Sequence, residues 1–369
     1  MKVCIFSPYF KDMITGGGEK HLLEMALVIS QKHRVQIAVS RPSSMLKDKE
    51  TSALREYRVT YEHFLNKKLS SLEFIFSPLM TTVVWWKKLW WTGKFDYLMA
   101  VTDGSLFFSL AKTNNLHLQV PFIHKKFNLI ERAKLANWQI RNANSKFTQQ
   151  ATQKSWRTQV QYVVYPLIDA DSFSSITHKQ KIILGVGRFY KQLHAKRQDV
   201  MIKAFKKMIK QNPSLFKGWQ LVLIGAPEDE NYVKELKQMA RGLPIRIKTI
   251  VSKPEVVSLM NKAKIFWHAT GFGINEVTHP EQVEHFGIVT AEAMAAGAVP
   301  LVYYAGGQKE VLGPKMKDLG WLTESELIGK TKALMADESA LTKWQALGLK
   351  QVAQFGPKPF ATAIWHMMK

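Results

Sequence analysis

Two glutamates, Glu284 and Glu292, stand eight positions apart in the stretch HPEQVEHFGIVTAEAMAAGAVPLV, on either side of Phe286-Gly287-Ile288. A glycine inside a helix costs about 1 kcal/mol relative to alanine, so Gly287 marks the turn into a helix over Val289 to Ala296, which Gly297 closes. Amides at such a helix start are free to bind a phosphate or sugar hydroxyls. Glu292, in or near the first turn, would accept from ribose hydroxyls, while Glu284 in the preceding loop would face the same cavity. The competing reading is that Glu292 only complements the helix dipole and Glu284 is a surface residue.

Three further stretches carry groups that suit an anion. In GVGRFYKQLHAKRQDV, Gly185 and Gly187 leave room for close backbone approach, and Arg188 and Lys196 offer cations where a diphosphate would lie. Tyr190 stands where a dinucleotide fingerprint needs its third glycine, so this is not that motif, and solvated surface charges remain the alternative. In SPYFKDMITGGGEK, Gly16, Gly17 and Gly18 precede a helical pattern, which suits either an anion against backbone or a flexible connector. The spacing to a following Lys-Ser/Thr pair rules out a Walker loop. His124 ends the apolar run QVPFIH, and a histidine there serves either cleft chemistry or an ordinary polar contact. Asp169-Ala170-Asp171 resembles a Mg²⁺ carboxylate pair, though an interdomain turn explains it as well.

The segment LEFIFSPLMTTVVWWKKLWWTGK gathers Trp85, Trp86, Lys87, Lys88, Trp90 and Trp91. Tryptophan with lysine is the composition of a helix that docks on anionic lipid, at about 1 kcal/mol per lysine near such a surface. On a helical wheel Trp85, Trp86, Leu89 and Trp90 share a face, but Trp91 falls beside Lys87, and an ordinary helix packed on a sheet competes.

The elements that must position these groups alternate strand and helix. The 369 residues, 46% apolar, are enough for two domains, and 22% charged residues with eleven Trp and twenty Phe exclude a mainly disordered chain. The single Cys4 excludes an intrachain disulfide framework and fits a reducing compartment, so a cytoplasmic protein is expected, peripheral on the inner face of a membrane if the Trp-Lys segment docks. MKVCIFSPYF is too short in its apolar run for a signal peptide, and no stretch of about 18 uncharged apolar residues occurs. A net charge of +23, spread over both halves, favours anionic partners: phosphates, acidic membrane or nucleic acid. The absence of arginine stripes or a nucleic-acid module speaks against the last.

Strands are expected at Val3–Ser7, Val35–Ser40, Arg58–Phe64, Tyr97–Thr102, Phe122–His124 and Val160–Tyr165, then at Ile182–Val186, Gln220–Ile224, Ile245–Ile250, Ile265–His268 and Val299–Tyr303. The pattern predicts an α/β protein with two doubly wound parallel sheets and an interdomain cleft. The expected bounds are residues 1–166 for an acceptor-side domain, 167–350 for a nucleotide-sugar-binding domain, and 351–369 for a C-terminal helix packing back on the first domain.

Taken together, EHFGIVTAEAMAAGAVPLVYYAGGQKEVL, VGRFYKQLHAKRQDVMIKAF and NANSKFTQQATQKSW with VVYPLID resemble, over nearly the whole chain, the retaining glycosyltransferases of family 4. That resemblance implies a GT-B architecture of two Rossmann-like domains and transfer of a hexose, with retention, from a UDP- or GDP-linked sugar to a glycan or lipid-linked acceptor. It implies that Arg188, Lys196 and Gly187 hold the diphosphate, that Glu292 binds ribose, and that Glu284 contacts the hexose with the amides of Phe286, Gly287 and Ile288. Gly16, Gly17 and Gly18 would approach donor phosphate and acceptor, His124 would sit near the sugar, and no metal or other cofactor is needed. Extra residues between Arg188 and Lys196 leave Lys191 as a competitor, and Gln308 stands at a position that varies in the family. The rival readings are a nucleotide-sugar epimerase or phosphorylase of the same architecture, or a basic membrane- or nucleic-acid-binding protein.

Overall fold

The computed structural model describes residues 1–11, 13, 15–40, 50–79, 81, 83–123, 127–173, 179–192 and 194–369. The chain divides into two compact units, residues 1–167 with 358–369, and residues 168–357.

The first unit runs β1 (Lys2–Phe6), α1 (Gly17–Ile29), β2 (Arg34–Val39), α2 (Glu50–Leu65), β3 (Leu72–Phe76), α3 (Trp85–Thr92), β4 (Tyr97–Val101), β5 (Thr113–Leu118), α4 (Leu129–Asn137), β6 (Ile140–Ala143), α5 (Lys146–Trp156) and β7 (Tyr162–Val163). Its strands form a sheet in the order β3-β2-β1-β4-β5-β6-β7, every pair parallel. Successive side chains of a strand point to opposite faces, and β1 buries both: Val3 and Ile5 enter one core cluster, Cys4 and Phe6 the other. That is why β1 is a continuous apolar run rather than an alternating one.

The second unit runs β8 (Gln180–Val186), α6 (Gln198–Gln211), β9 (Gln220–Ile224), α7 (Glu230–Met239), β10 (Ile245–Lys248), α8 (Lys253–Lys262), β11 (Ala263–His268), α9 (Ile288–Ala295), β12 (Val299–Tyr303), α10 (Gln308–Leu312), β13 (Gly320–Trp321), α11 (Glu324–Ala336) and α12 (Glu338–Val352). Its parallel strands take the order β10-β9-β8-β11-β12-β13. Small residues of α9 and of the turn after it lie close to this sheet: Ala293, Ala296 and Ala298 are buried in one cluster with Ile182, Leu184 and Phe266. The last helix, α13 (Pro357–Met367), belongs to the first unit, burying Phe360, Ile364 and Met367 in its core. The returning segment begins at Lys358 rather than at 351, since Phe355 stays buried in the second unit, edge-on to Phe286 at 5.0 Å between ring centroids.

Several expected strands of the first half are corrected. Arg58–Phe64 lies inside α2, where Tyr57, Tyr61 and Leu65 recur at helical spacing and are buried, so tertiary burial of that stripe overrides the strand preference of Val59 and Thr60. Phe122 and Ile123 are irregular, and the strand of that region is β5, whose sequence TNNLHL is too polar to read as one. Val160–Tyr165 contributes only the two residues of β7. In the second unit the five expected strands are all present, with ends moved by no more than two residues. Among the described residues no helix is long and apolar enough to cross a membrane.

Candidate active site

In the second sheet β8 is flanked by β9 on one side and β11 on the other, so the strand order reverses between β8 and β11. Ligands of doubly wound sheets bind beyond the carboxyl ends of strands at such a point. Lys196 follows β8 in the chain and His268 ends β11, and both side chains converge on Glu284 from the loop before α9. Lys196 Nζ donates to Glu284 Oε2 at 2.6 Å, and His268 Nε2 donates to the same oxygen at 2.9 Å. The Lys196 and Glu284 side chains are only 17% and 19% exposed.

The electrostatics follow from this packing. Burial pushes the Glu284 carboxyl up, but the Lys196 ammonium and the His268 hydrogen bond outweigh it and hold the group well below the usual carboxylate range. Burial pushes His268 down, against the pull of Glu284, so the imidazole is neutral at pH 7. Its tautomer is set from behind: Gln308 Nε2 donates to His268 Nδ1 at 3.1 Å and to Thr290 Oγ1 at 3.0 Å, leaving the proton on Nε2 for Glu284. The chemical result is an ionised, firmly oriented carboxylate beside a cation with donors to spare.

Glycines let the backbone come this close. A Cβ on Gly187 would lie 2.6 Å from Lys196 Cγ, so the lysine stem rests on that glycine. A Cβ on Gly306 would lie 2.2 Å from the Glu284 carbonyl oxygen, and Gly307 N donates to that carbonyl at 2.8 Å. Gly287 has φ 109°, a left-handed conformation that excludes most side chains, and it precedes α9 with no side-chain cap. Phe286 buries its ring, so only its main chain can meet a ligand.

The other expected residues are placed as follows. Arg188, exposed, pairs with Glu228 at 3.1 Å, a surface pair of small worth that a stronger anion would displace. Lys191 is committed to Glu235 and lies over the Tyr232 ring. Glu292 is half-buried in the second turn of α9, past the first turn expected for it, on the same face as Ile288. Gly16, Gly17 and Gly18 belong to the first unit at the start of α1. There a Cβ on Gly18 would lie 2.4 Å from Gln119 Oε1 and one on Gly16 2.8 Å from Glu19 Oε2. A nearly buried carboxylate, Glu19, thus already occupies the first turn, which disfavours the anion site read from these glycines. His124 lies outside the described residues. Sequence reasoning missed His268, Thr290 and Gln308; the usable signal was a histidine on the last residue of the strand at the sheet's reversal.

Residues 169–346 match the family described as glycosyl transferases group 1. The matched segment is a group 1 glycosyltransferase domain. It contains Arg188, Lys196, His268, Glu284, Glu292 and Gln308. Over 184 residues the chain is 31% identical to the human GDP-Man:Man(3)GlcNAc(2)-PP-Dol alpha-1,2-mannosyltransferase, a match covering 44% of this chain and 34% of that protein. It is 26% identical over 226 residues to the alpha-1,3/1,6-mannosyltransferase alg-2 of Neurospora crassa, covering 52% of this chain and 46% of the relative. The chain therefore spans less than half the length of these relatives. Among solved structures, Anabaena HepE in complex with UDP and glucose superposes with a TM-score of 0.69 over 100% of this chain and 99% of that one, at 16% identity. WaaG, a glycosyltransferase involved in lipopolysaccharide biosynthesis, gives 0.62 over 99% and 98%, at 12% identity. These likenesses establish the two-domain Rossmann-like fold of GT-B glycosyltransferases for the group 1 domain and the unit before it.

Proposed function

We propose that this chain is a retaining, metal-independent hexosyltransferase that takes mannose from GDP-mannose to a lipid-linked oligosaccharide. The observation that carries the reading is the ionised Glu284 clamped by Lys196 and His268 at the reversal point of the second sheet, beside the uncapped start of α9. The choice of donor and acceptor rests on the mannosyltransferases to which the chain is similar.

As the bond from C1 to the diphosphate breaks, negative charge grows on the leaving group and the sugar becomes oxocarbenium-like. An ammonium has three donors; Lys196 uses one on Glu284 and keeps two for the diphosphate. Arg188 would leave Glu228 for the same anion, and the amides of Gly287 and Ile288 would face it. Preorganised donors of this kind are worth roughly 10²–10³ in rate each. Glu284 stays a carboxylate at neutral pH, so its role is to balance the positive sugar rather than to protonate the leaving group. Glu292 would hold the ribose, His124 would sit near the sugar, and the backbone at Gly16, Gly17 and Gly18 would approach the acceptor.

The acceptor reading draws on α3. Trp85, Trp86 and Trp90 are exposed at 74%, 55% and 65%, and Lys87 and Lys94 lie over the Trp86 and Trp90 rings. We assign this face to the anionic inner surface of a membrane, where Lys87 and Lys94 contribute about 2 kcal/mol together. Incubating the protein with GDP-mannose, UDP-glucose and a lipid-linked glycan tests the function: transfer from GDP-mannose supports it, while epimerised donor, phosphorolysis or no turnover contradicts it.

A further inference from the structure

The first unit carries a groove of about 380 Å³, within the size range of small-ligand sites. It opens between the ends of β1 and β4, which are neighbours although not consecutive, so it sits at the reversal point of the first sheet. Its walls are apolar: Phe6, Val101, Leu106 and Phe107 from the sheet side, Leu79 and Leu89 from the α3 side. They are also preformed. Phe107 meets Phe6 edge-on at 6.2 Å and Trp138 at 5.1 Å, and Trp138 Nε1 donates to the Phe107 carbonyl at 3.1 Å. Polar groups are few: Asp103 and Ser105, which hydrogen-bond each other, and the lysines Lys88 and Lys134. Such walls offer a sugar almost nothing to hydrogen-bond, whereas they match a hydrocarbon chain. Trp85 joins the groove to the exposed tryptophan face, and residues 79–95 hold four tryptophans and three lysines with no acidic residue.

We infer that this groove binds the first stretch of the hydrocarbon chain of a phosphate-bearing lipid, with the phosphate against Lys88. This deepens the proposed function, since it rests on a lipid-borne acceptor, and it names a chain-binding site in the protein itself rather than contact with a bilayer. Lys88 Nζ spends one hydrogen bond on the Leu79 carbonyl at 3.2 Å and retains donors for the headgroup. Each methylene buried in the groove tightens binding by about fourfold, until the groove is full.

The test is calorimetric binding of n-alkyl phosphates from butyl to dodecyl, below their micelle concentrations, with inorganic phosphate as the headgroup alone. Affinity is expected to rise steeply with chain length and then level off, with inorganic phosphate weakest. Leu89→Gln, and Phe108→Ser at a more exposed ring that also lines the groove, are expected to flatten that rise, each with an unchanged melting temperature and unchanged GDP binding. A chain-length profile that is flat in the native protein, or that neither variant alters, overturns the inference. Failure of GDP to bind while the profile stands would instead strike the proposed function, and vesicle co-sedimentation lost only with Trp86→Ser and Trp90→Ser reports the membrane face separately from the groove.

Discussion

Truncating Lys196 should damage stability and turnover together, for a reason that can be worked from the geometry. Its ammonium lies 2.6 Å from Glu284 Oε2, and both side chains are more than four-fifths buried. Removing one partner of a buried pair costs about 3–5 kcal/mol because the other charge is left uncompensated. Here His268 still donates to the carboxylate at 2.9 Å and relieves part of that cost, which places Lys196→Ala at or just below the lower bound, at about 2–3 kcal/mol. The double variant Lys196→Ala with Glu284→Gln removes the stranded charge, so its loss should fall short of the sum of the two single losses by about 1–3 kcal/mol. Turnover of Lys196→Ala should fall by roughly 10²–10³, since a donor to the departing diphosphate is gone. Denaturant unfolding and initial rates of sugar transfer measure the two effects. A folded Lys196→Ala enzyme within threefold of native turnover refutes the leaving-group role, and strictly additive stability losses refute the electrostatic account of the pair.

Other consequences are smaller but as definite. Gly187→Ala places a Cβ against the Lys196 stem and should lower kcat by about tenfold with little loss of secondary structure, as seen by rate measurement beside circular dichroism. His268→Gln retains a donor toward Glu284, whereas His268→Leu does not; a hydrogen bond to a charged group is worth about 1.5–3 kcal/mol, so the leucine variant should be at least tenfold slower than the glutamine one in the same transfer assay. Acid should destabilise the first unit early. Burial lowers His117 to about 4 and sets His21, with its ring 5.1 Å away, well below its ordinary value. Unfolding lets both bind protons, so stability falls as pH drops from about 6.5 towards 4, by about 3 kcal/mol for His117 alone. A melting temperature that stays flat between pH 7 and 5 contradicts this.

How legible each part was in the sequence depends on where its polar groups go. The central strands β9, β11 and β12 are short, mainly apolar runs buried along most of their length, and such runs announce themselves. The strand β5 does not, because Asn114, Asn115 and His117 are buried while polar. The partners of Asn115 and His117 come from other strands: Asn115 Nδ2 donates to the Tyr97 hydroxyl at 2.6 Å, Asn142 Nδ2 to Asn115 Oδ1 at 2.6 Å, and His117 Nδ1 meets Asn142 Oδ1. No local pattern reports a hydrogen bond closed from a distant strand. The site divides in the same way. Glu284, Gly287 and Lys196 stood out by type and spacing, whereas His268 and Gln308 acquire meaning only when the fold brings positions forty residues apart into contact. The three glycines at α1 stood out as well, but the close approach of Glu19 to Gly16 and of Gln119 to Gly18 is visible only in the fold.

The central claim is that positive groups at the reversal of the second sheet receive the diphosphate of an activated sugar. A crystal structure of the protein with an intact nucleotide-diphosphate sugar tests it most directly. The account requires the diphosphate oxygens within hydrogen-bonding distance of Lys196 Nζ and of an amide at Gly287 or Ile288, with the hexose against Glu284. A diphosphate bound elsewhere, with Lys196 still committed to Glu284 alone, contradicts it.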